Sequence, residues 1–154
     1  MTELKSLRSI AVFTMHRVEN IEDTLKRIQV PSQCEPSRLL PDLPLTELLH
    51  LKSLEEKMVD EQVEKQLFNM LRYTGGSRER DCVNRCLEKI FTNYLAQFCS
   101  WTGKKNNFKL SSLKVMTTLK LAVRESFPNI TDDGFERHVM SWFQHAATRL
   151  KRQN

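Results

Sequence analysis

Thr131–Lys151 reads TDDGFERHVMSWFQHAATRLK, and its apolar spacing decides the fold. Phe135, Val139, Trp142, Phe143, Ala146 and Leu150 fall at i, i+4, i+7, i+8, i+11 and i+15. That is the one-sided stripe of an amphipathic helix, not the alternation of a strand. Thr131 is a good N-cap type, and Asp132 and Asp133 place negative charge in the first turn, where the helix dipole favours it. The other side carries Arg137, His138, Ser141, His145 and Arg149, with Lys151 and Arg152 near the end.

Reading back toward the N-terminus, the same period recurs. Ser111 or Ser112 is expected to cap a helix holding Leu113, Val115, Met116, Leu119, Ala122 and Val123, ended by Pro128. Its apolar face is broad, which suits burial on more than one side. Thr92 starts a brief helix with Tyr94, Leu95 and Phe98. Ser77 opens another, with Val83, Leu87, Ile90 and Phe91, and Asp60 caps one with Val63, Leu67, Met70 and Leu71. The glycine pair in TGGS separates these last two. Ser53 with Glu56 forms a capping-box pattern. No alternating strand pattern of useful length occurs from Leu45 onward. The expectation is an all-α, compact bundle of five or six helices over residues 45–154.

Residues 1–44 read differently. Pro31, Pro36, Pro41 and Pro44 fall in VPSQCEPSRLLPDLPL, through which no helix can run. Before it, NIEDTLKRI aligns Ile21, Leu25 and Ile28 behind a capping Asn20, a short helix only marginally stable alone. This segment is expected to be an appendage and Pro-rich linker, partly disordered.

The 154 residues carry a formal charge of +5, unevenly placed. Met1–Thr74 has 10 Lys/Arg against 12 Asp/Glu, a net of −2, whereas Gly75–Asn154 has 14 against 7, a net of +7. A basic half suggests an anionic partner, nucleic acid being the commonest, although a solvated basic surface has the same composition. No apolar run approaches the roughly 18 residues of a membrane span, and the Ile10–Phe13 patch is too short for a signal peptide. The chain therefore reads as intracellular, with no membrane partner.

The sequence offers no catalytic constellation. Gly75, Gly76, Gly103 and Gly134 match neither common phosphate-loop motif, and no paired carboxylates sit on an apolar patch. Cys82 and Cys86 are four apart and would need His138 or His145 to complete a zinc set. Zinc ligands usually pair across a tight C-x2-C loop, and buried free cysteines are common. A non-enzyme is expected, with no metal, no cofactor and no small-molecule substrate.

Two stretches are candidates for binding. The outward side of the last helix, Arg137, His138, Ser141, His145 and Arg149, resembles a helix offering donors to a major groove, and equally an ordinary solvated face. Around the break FCSWTGKKNNFKL, Phe98–Leu110, Lys104, Lys105 and Lys109, with Lys114 beyond, could grip phosphates, or simply keep a loop soluble. Asn106 and Asn107 could add neutral contacts. Trp101 and Phe108 bracket the loop and are expected to pack into the core, while Gly103 lets the chain turn.

These residues also carry a resemblance. Cys86–Pro128, CLEKIFTNYLAQFCSWTGKKNNFKLSSLKVMTTLKLAVRESFP, resembles the BEN domain in its order of elements. With the upstream Leu43–Leu87 stretch, its PL start, acidic helix and Gly-Gly-Ser turn, the chain looks like domain-of-unknown-function family 4806, a BEN-like family, over roughly residues 43–152. The resemblance implies an all-helical domain of nuclear proteins in transcriptional or chromatin regulation. It implies double-stranded DNA as partner, met by Arg137, His138, Ser141, His145 and Arg149 of the last helix and by Lys104 and Lys105 after the Thr-Gly turn; the neighbouring basic residues Lys109, Lys151 and Arg152 join them as candidates on charge. BEN domains vary at base-contacting positions, and no residue here matches a known base reader. The competing expectation is a protein-interaction module or homodimer that does not touch DNA.

Overall fold

A computed structural model describes residues 38–154, which form one compact unit. The helix expected at residues 20–28, Cys34, Pro31 and Pro36 lie outside the described residues. The unit is all-α. In chain order it comprises α1 (Leu48–Lys57), α2 (Glu61–Arg72), α3 (Glu79–Ile90), α4 (Asn93–Ala96), β1 (Cys99–Ser100), β2 (Phe108–Lys109), α5 (Lys114–Ser126), α6 (Asp132–Gln144) and α7 (Ala146–Gln153). The seventh helix arises because the last predicted helix breaks at His145, whose φ of −97° and ψ of 7° interrupt the ladder.

Each helix buries the stripe its spacing predicts. Val63, Leu67 and Leu71 of α2 face α5, whose Val115, Met116, Leu119, Ala122 and Val123 are all buried, as its broad apolar face requires. α3 packs against α6, and α4 against α7. Phe91 meets Phe143 edge to face, with centroids 5.1 Å apart. Leu39, Leu40 and Leu43 pack on the same core, so the compact unit begins at Arg38, ahead of the last two prolines of the linker. Leu45 is stapled by backbone bonds from Leu45 N–H to the Ile90 carbonyl (2.7 Å) and from Thr92 N–H to the Leu45 carbonyl (3.0 Å).

Three predicted caps form as expected. Asp60 accepts from Gln62 N–H at 2.8 Å, Thr92 Oγ1 from Leu95 N–H at 3.2 Å, and Thr131 Oγ1 from Gly134 N–H at 3.0 Å. Three others differ. Ser53 lies inside α1, which starts after Glu47 with no side-chain cap. α3 starts after Arg78, and Ser77 Oγ donates instead to Asp81 at 2.7 Å. α5 is capped by neither Ser111 nor Ser112. The Glu55 carboxylate of α1 reaches across and accepts from Lys114 N–H (2.6 Å) and Val115 N–H (3.1 Å). Two otherwise unpartnered donors of a helix start are thus satisfied by a distant acid.

The start of α6 is pinned to α5. Asp132 lies 3.0 Å from Lys120 Nζ and 2.7 Å from Arg124 Nη2. Lys120, then Arg124, hold its carboxyl below the usual range, so this contribution is present above the unfolded carboxylate pKa and lost as pH falls through the depressed value.

Gly76 fills a tight spot. A Cβ there would lie 2.5 Å from Cys82 N and 2.8 Å from its Cα, both backbone atoms that cannot swing aside. Gly76→Ala should therefore cost at least about 2 kcal/mol, as overpacking does. Gly75→Ala, at a positive φ of 61° but in open space, should cost about 1 kcal/mol through backbone strain alone. Urea unfolding of the two variants side by side checks the contrast.

Candidate nucleic-acid interface

Of the expected site residues, Ser141, His145, Arg149 and Arg152 line one cleft and Lys109 lines another, while Lys104, Lys105, Arg137, His138 and Lys151 line neither. The first cleft, about 250 Å³, lies between α3 and the α6–α7 corner. Ser141, His145, Arg149 and Arg152 line it, joined by Arg80, Asn84 and Glu88 of α3. Arg80 was not among the expected residues. Its i+4 spacing to Asn84 and Glu88 marks one outward face of α3, but only the packing of α3 on α6 brings that face beside His145.

The break at His145 explains two of these side chains. The last four carbonyls of α6 have no partner inside the helix. His145 Nδ1 lies 2.7 Å from the Ser141 carbonyl and Arg149 Nη1 donates to the Trp142 carbonyl at 2.6 Å, so both imidazole and guanidinium cap the negative end of α6. A carbonyl only accepts, so this bond puts the imidazole proton on Nδ1 and leaves Nε2 outward. Arg149 also donates from Nε to Asn93 Oδ1 at 2.9 Å and stacks on the Trp142 ring, 4.1 Å from its centroid. Burial lowers the Arg149 pKa, and the nearby Glu88 charge partly offsets this. Arg149, expected as a free DNA-facing cation, is thus built into the corner. Its Nη2 and the Trp142 Nε1, both buried, have no hydrogen-bond partner among the described residues.

The remaining helix residues are placed less uniformly. His138 shares the Ser141–His145 face by its i+3 and i+7 spacing and is half-buried. Arg137, one turn before Ser141, is exposed and pairs with Asp133 one turn earlier still. Lys151 is exposed on α7.

The second cleft, about 620 Å³, holds the loop residues. Asn106, Asn107, Phe108, Lys109 and Phe98 line it with Leu48 of α1. The loop is formed by a short parallel pairing of β1 with β2, Cys99 opposite Phe108 and Ser100 opposite Lys109. Between them Gly103 (φ 77°), Lys105 (φ 58°) and Asn106 (φ 59°) are left-handed, a sharp turn that Gly103 makes without strain. Trp101 is half-buried and meets Phe135 of α6 edge to face at 6.3 Å, the packing role expected of it. His145 follows ten residues after Phe135, about 15 Å along a helix axis. The Thr-Gly turn and the α6–α7 corner therefore serve opposite ends of α6, and no residue lines both clefts. Lys114 belongs to neither. Its Nζ donates to the Met58 carbonyl at 2.7 Å and pairs with Glu64 at 2.9 Å, so it ties α5 to the α1–α2 corner rather than reaching for phosphate.

Cys82, Cys86 and Cys99 are free and buried. Cys86 Sγ donates to the Leu71 carbonyl at 3.7 Å, and burial pushes the Cys99 thiol up to about 12, so these two behave as core groups, whereas a hydrogen bond with Cys86 lowers the Cys82 thiol pKa. Among the described residues no helix is long and apolar enough to cross a membrane.

A family model described as "Domain of unknown function (DUF4806)" matches residues 40–122, from the chain leading into α1 to the middle of α5. No curated protein and no solved structure matches the chain.

Proposed function

We propose, from the premise that this chain belongs to the DUF4806 family, that it is a DNA-binding module of transcriptional or chromatin regulation acting in the nucleus. The observation that carries the reading is the convergence of Arg80, His145, Arg149 and Arg152 on one cleft. Glu88 is the acid in that wall, so the balance stays positive. The BEN-like order of Cys86–Pro128 points the same way. In this reading Ser141, His138 and the outward Nε2 of His145 lie toward the grooves. Arg80, Arg152 and Lys151 meet phosphates, and Arg149 holds the corner that presents them.

Titration of the chain with fluorescent duplex DNA at increasing salt tests this. Affinity should fall linearly on a log–log plot, with a slope of about −0.9 per phosphate neutralised. Arg80→Ala and Arg152→Ala should each reduce the slope by about 1 and weaken all sequences alike. Absent binding at low salt, or an unchanged slope in both variants, overturns the reading.

A second reading has one observation behind it. Phe68 and the 45 % exposed Leu121 border a small cleft between α2 and α5, where the buried Thr118 hydroxyl has no hydrogen-bond partner among the described residues. Self-association through that face would give a mass that rises with concentration in light scattering, with no response to DNA.

A further inference from the structure

We propose that the cleft beside the Thr-Gly turn binds the unpaired bases of a single nucleic-acid strand. This goes beyond the duplex reading and does not rest on it, because the two clefts share no residue.

Three observations of different kinds meet there. The first is exposed aromatic surface. Phe98 is 44 % exposed and lines the cleft, and its ring meets that of Tyr94, 56 % exposed, edge to face at 5.4 Å. Phe108 lines the cleft as well. The core does not need the free faces of Phe98 and Tyr94, and a base offers a flat apolar partner for such rings.

The second is charge. Lys109 lines the cleft, Lys52 Nζ sits 5.7 Å over the Phe108 ring, and Lys104 and Lys105 immediately precede Asn106 in the turn. No carboxylate lines this cleft. The two clefts beside α7 include Glu88, and the α2–α5 cleft includes Glu61 and Glu64. The third is hydrogen-bonding capacity. The side-chain amides of Asn106 and Asn107 bond to no described residue, and both line the cleft. An amide carries a donor and an acceptor side by side, the pairing a base edge also presents.

Rings for base faces, amides for base edges and lysines for phosphates together match the parts of a nucleotide. A duplex hides its base faces within the stack, so the rings select an unpaired strand. An acidic peptide would satisfy the lysines but would leave the aromatic surface and the amides without a specific counterpart. The volume, about 620 Å³, is within the range of ligand clefts.

The test uses the full chain and a fluorescein-labelled thymidine strand of about 12 nucleotides, compared with an abasic strand of equal length. The thymidine strand should bind about 5- to 150-fold tighter than the abasic one, the factor that stacking a base on an aromatic ring supplies. Phe98→Leu, which keeps bulk and removes the ring, should erase most of that difference and leave abasic binding unchanged. Circular dichroism and the urea midpoint verify that the variant is folded. An Arg80→Ala, Arg152→Ala double variant should keep the difference. Equal binding of the two strands by the unsubstituted protein overturns the proposal without relying on any variant. So does a difference that survives Phe98→Leu in a folded protein, or one lost in the double variant. Displacement of the strand by polyglutamate as readily as by unlabelled thymidine strand assigns the cleft to an acidic peptide and also overturns it. Duplex binding that persists after any of these outcomes leaves the duplex reading standing.

Discussion

Trp142→Ala is expected to destabilise the domain by about 3–5 kcal/mol, the range for truncating a buried large aromatic. Trp142 is 4 % exposed, packs edge to face on Phe143 with centroids 4.9 Å apart, and carries the Arg149 guanidinium on its ring. Removing the indole opens a cavity and also takes the platform from under Arg149, which is held there by the Trp142 carbonyl and Asn93. Trp142→Phe should cost far less, because a ring remains and the indole N–H makes no hydrogen bond to be lost. The measurement is a urea midpoint for each variant, with the slope m unchanged if unfolding stays two-state. A loss below about 1 kcal/mol for the alanine variant would mean that the α6–α7 corner collapses onto the gap, and that the indole is not the element fixing it.

The second large effect is expected at Glu55. Its carboxylate accepts from Lys114 N–H and Val115 N–H at the start of α5, 59 and 60 residues away. Hydrogen bonds to a charged group contribute roughly 1.5–3 kcal/mol each, and losing a helix cap costs about 1 kcal/mol. The two bonds share one side chain, so their effects overlap, and Glu55→Ala should cost about 3 kcal/mol. Glu55→Gln keeps one acceptor oxygen and should lose about half of that. Amide hydrogen exchange should speed up first at Lys114 and Val115, since local opening is read at the amides whose partner is removed. Protection unchanged at those two amides in Glu55→Ala would show that the start of α5 is held by something other than this acid.

Much of the fold was legible because it is local. The 3.6-residue period of Phe135–Phe143 and of Val63–Leu71 needs no knowledge of what lies opposite. Asp60, Thr92 and Thr131 cap helices within three residues of themselves. The caps read wrongly fail for the opposite reason. Ser111 and Ser112 have the right chemistry for a cap, but a glutamate from α1 occupies the two amides. Ser53 has the right pattern, but α1 begins earlier, where the buried stripe through Leu51, Leu54 and Met58 sets the start instead of a side-chain cap.

The candidate site was legible as a list of residue types and not as a place. Arg149, Arg152, Ser141 and His145 do share one cleft, joined by Arg80 from another helix. Lys104, Lys105 and Lys109 belong with Phe98 and Phe108 around the Thr-Gly turn instead, and Lys114 is consumed by Glu64 and the Met58 carbonyl. A charge on an amphipathic face has the same sequence signature whether it reaches solvent, caps a neighbouring turn or pairs with an acid.

The sequence alone determined that this chain builds helices, where most of them run and which side of each is apolar, because period and capping are set by neighbours a few residues apart. The tertiary structure decided that the last helix breaks at His145, that Glu55 starts α5, and that Arg149 and Arg152 meet Arg80 in one cleft while Lys109 lines another. Each of those depends on side chains brought together from distant parts of the chain, or on which carbonyls a helix end leaves to be satisfied.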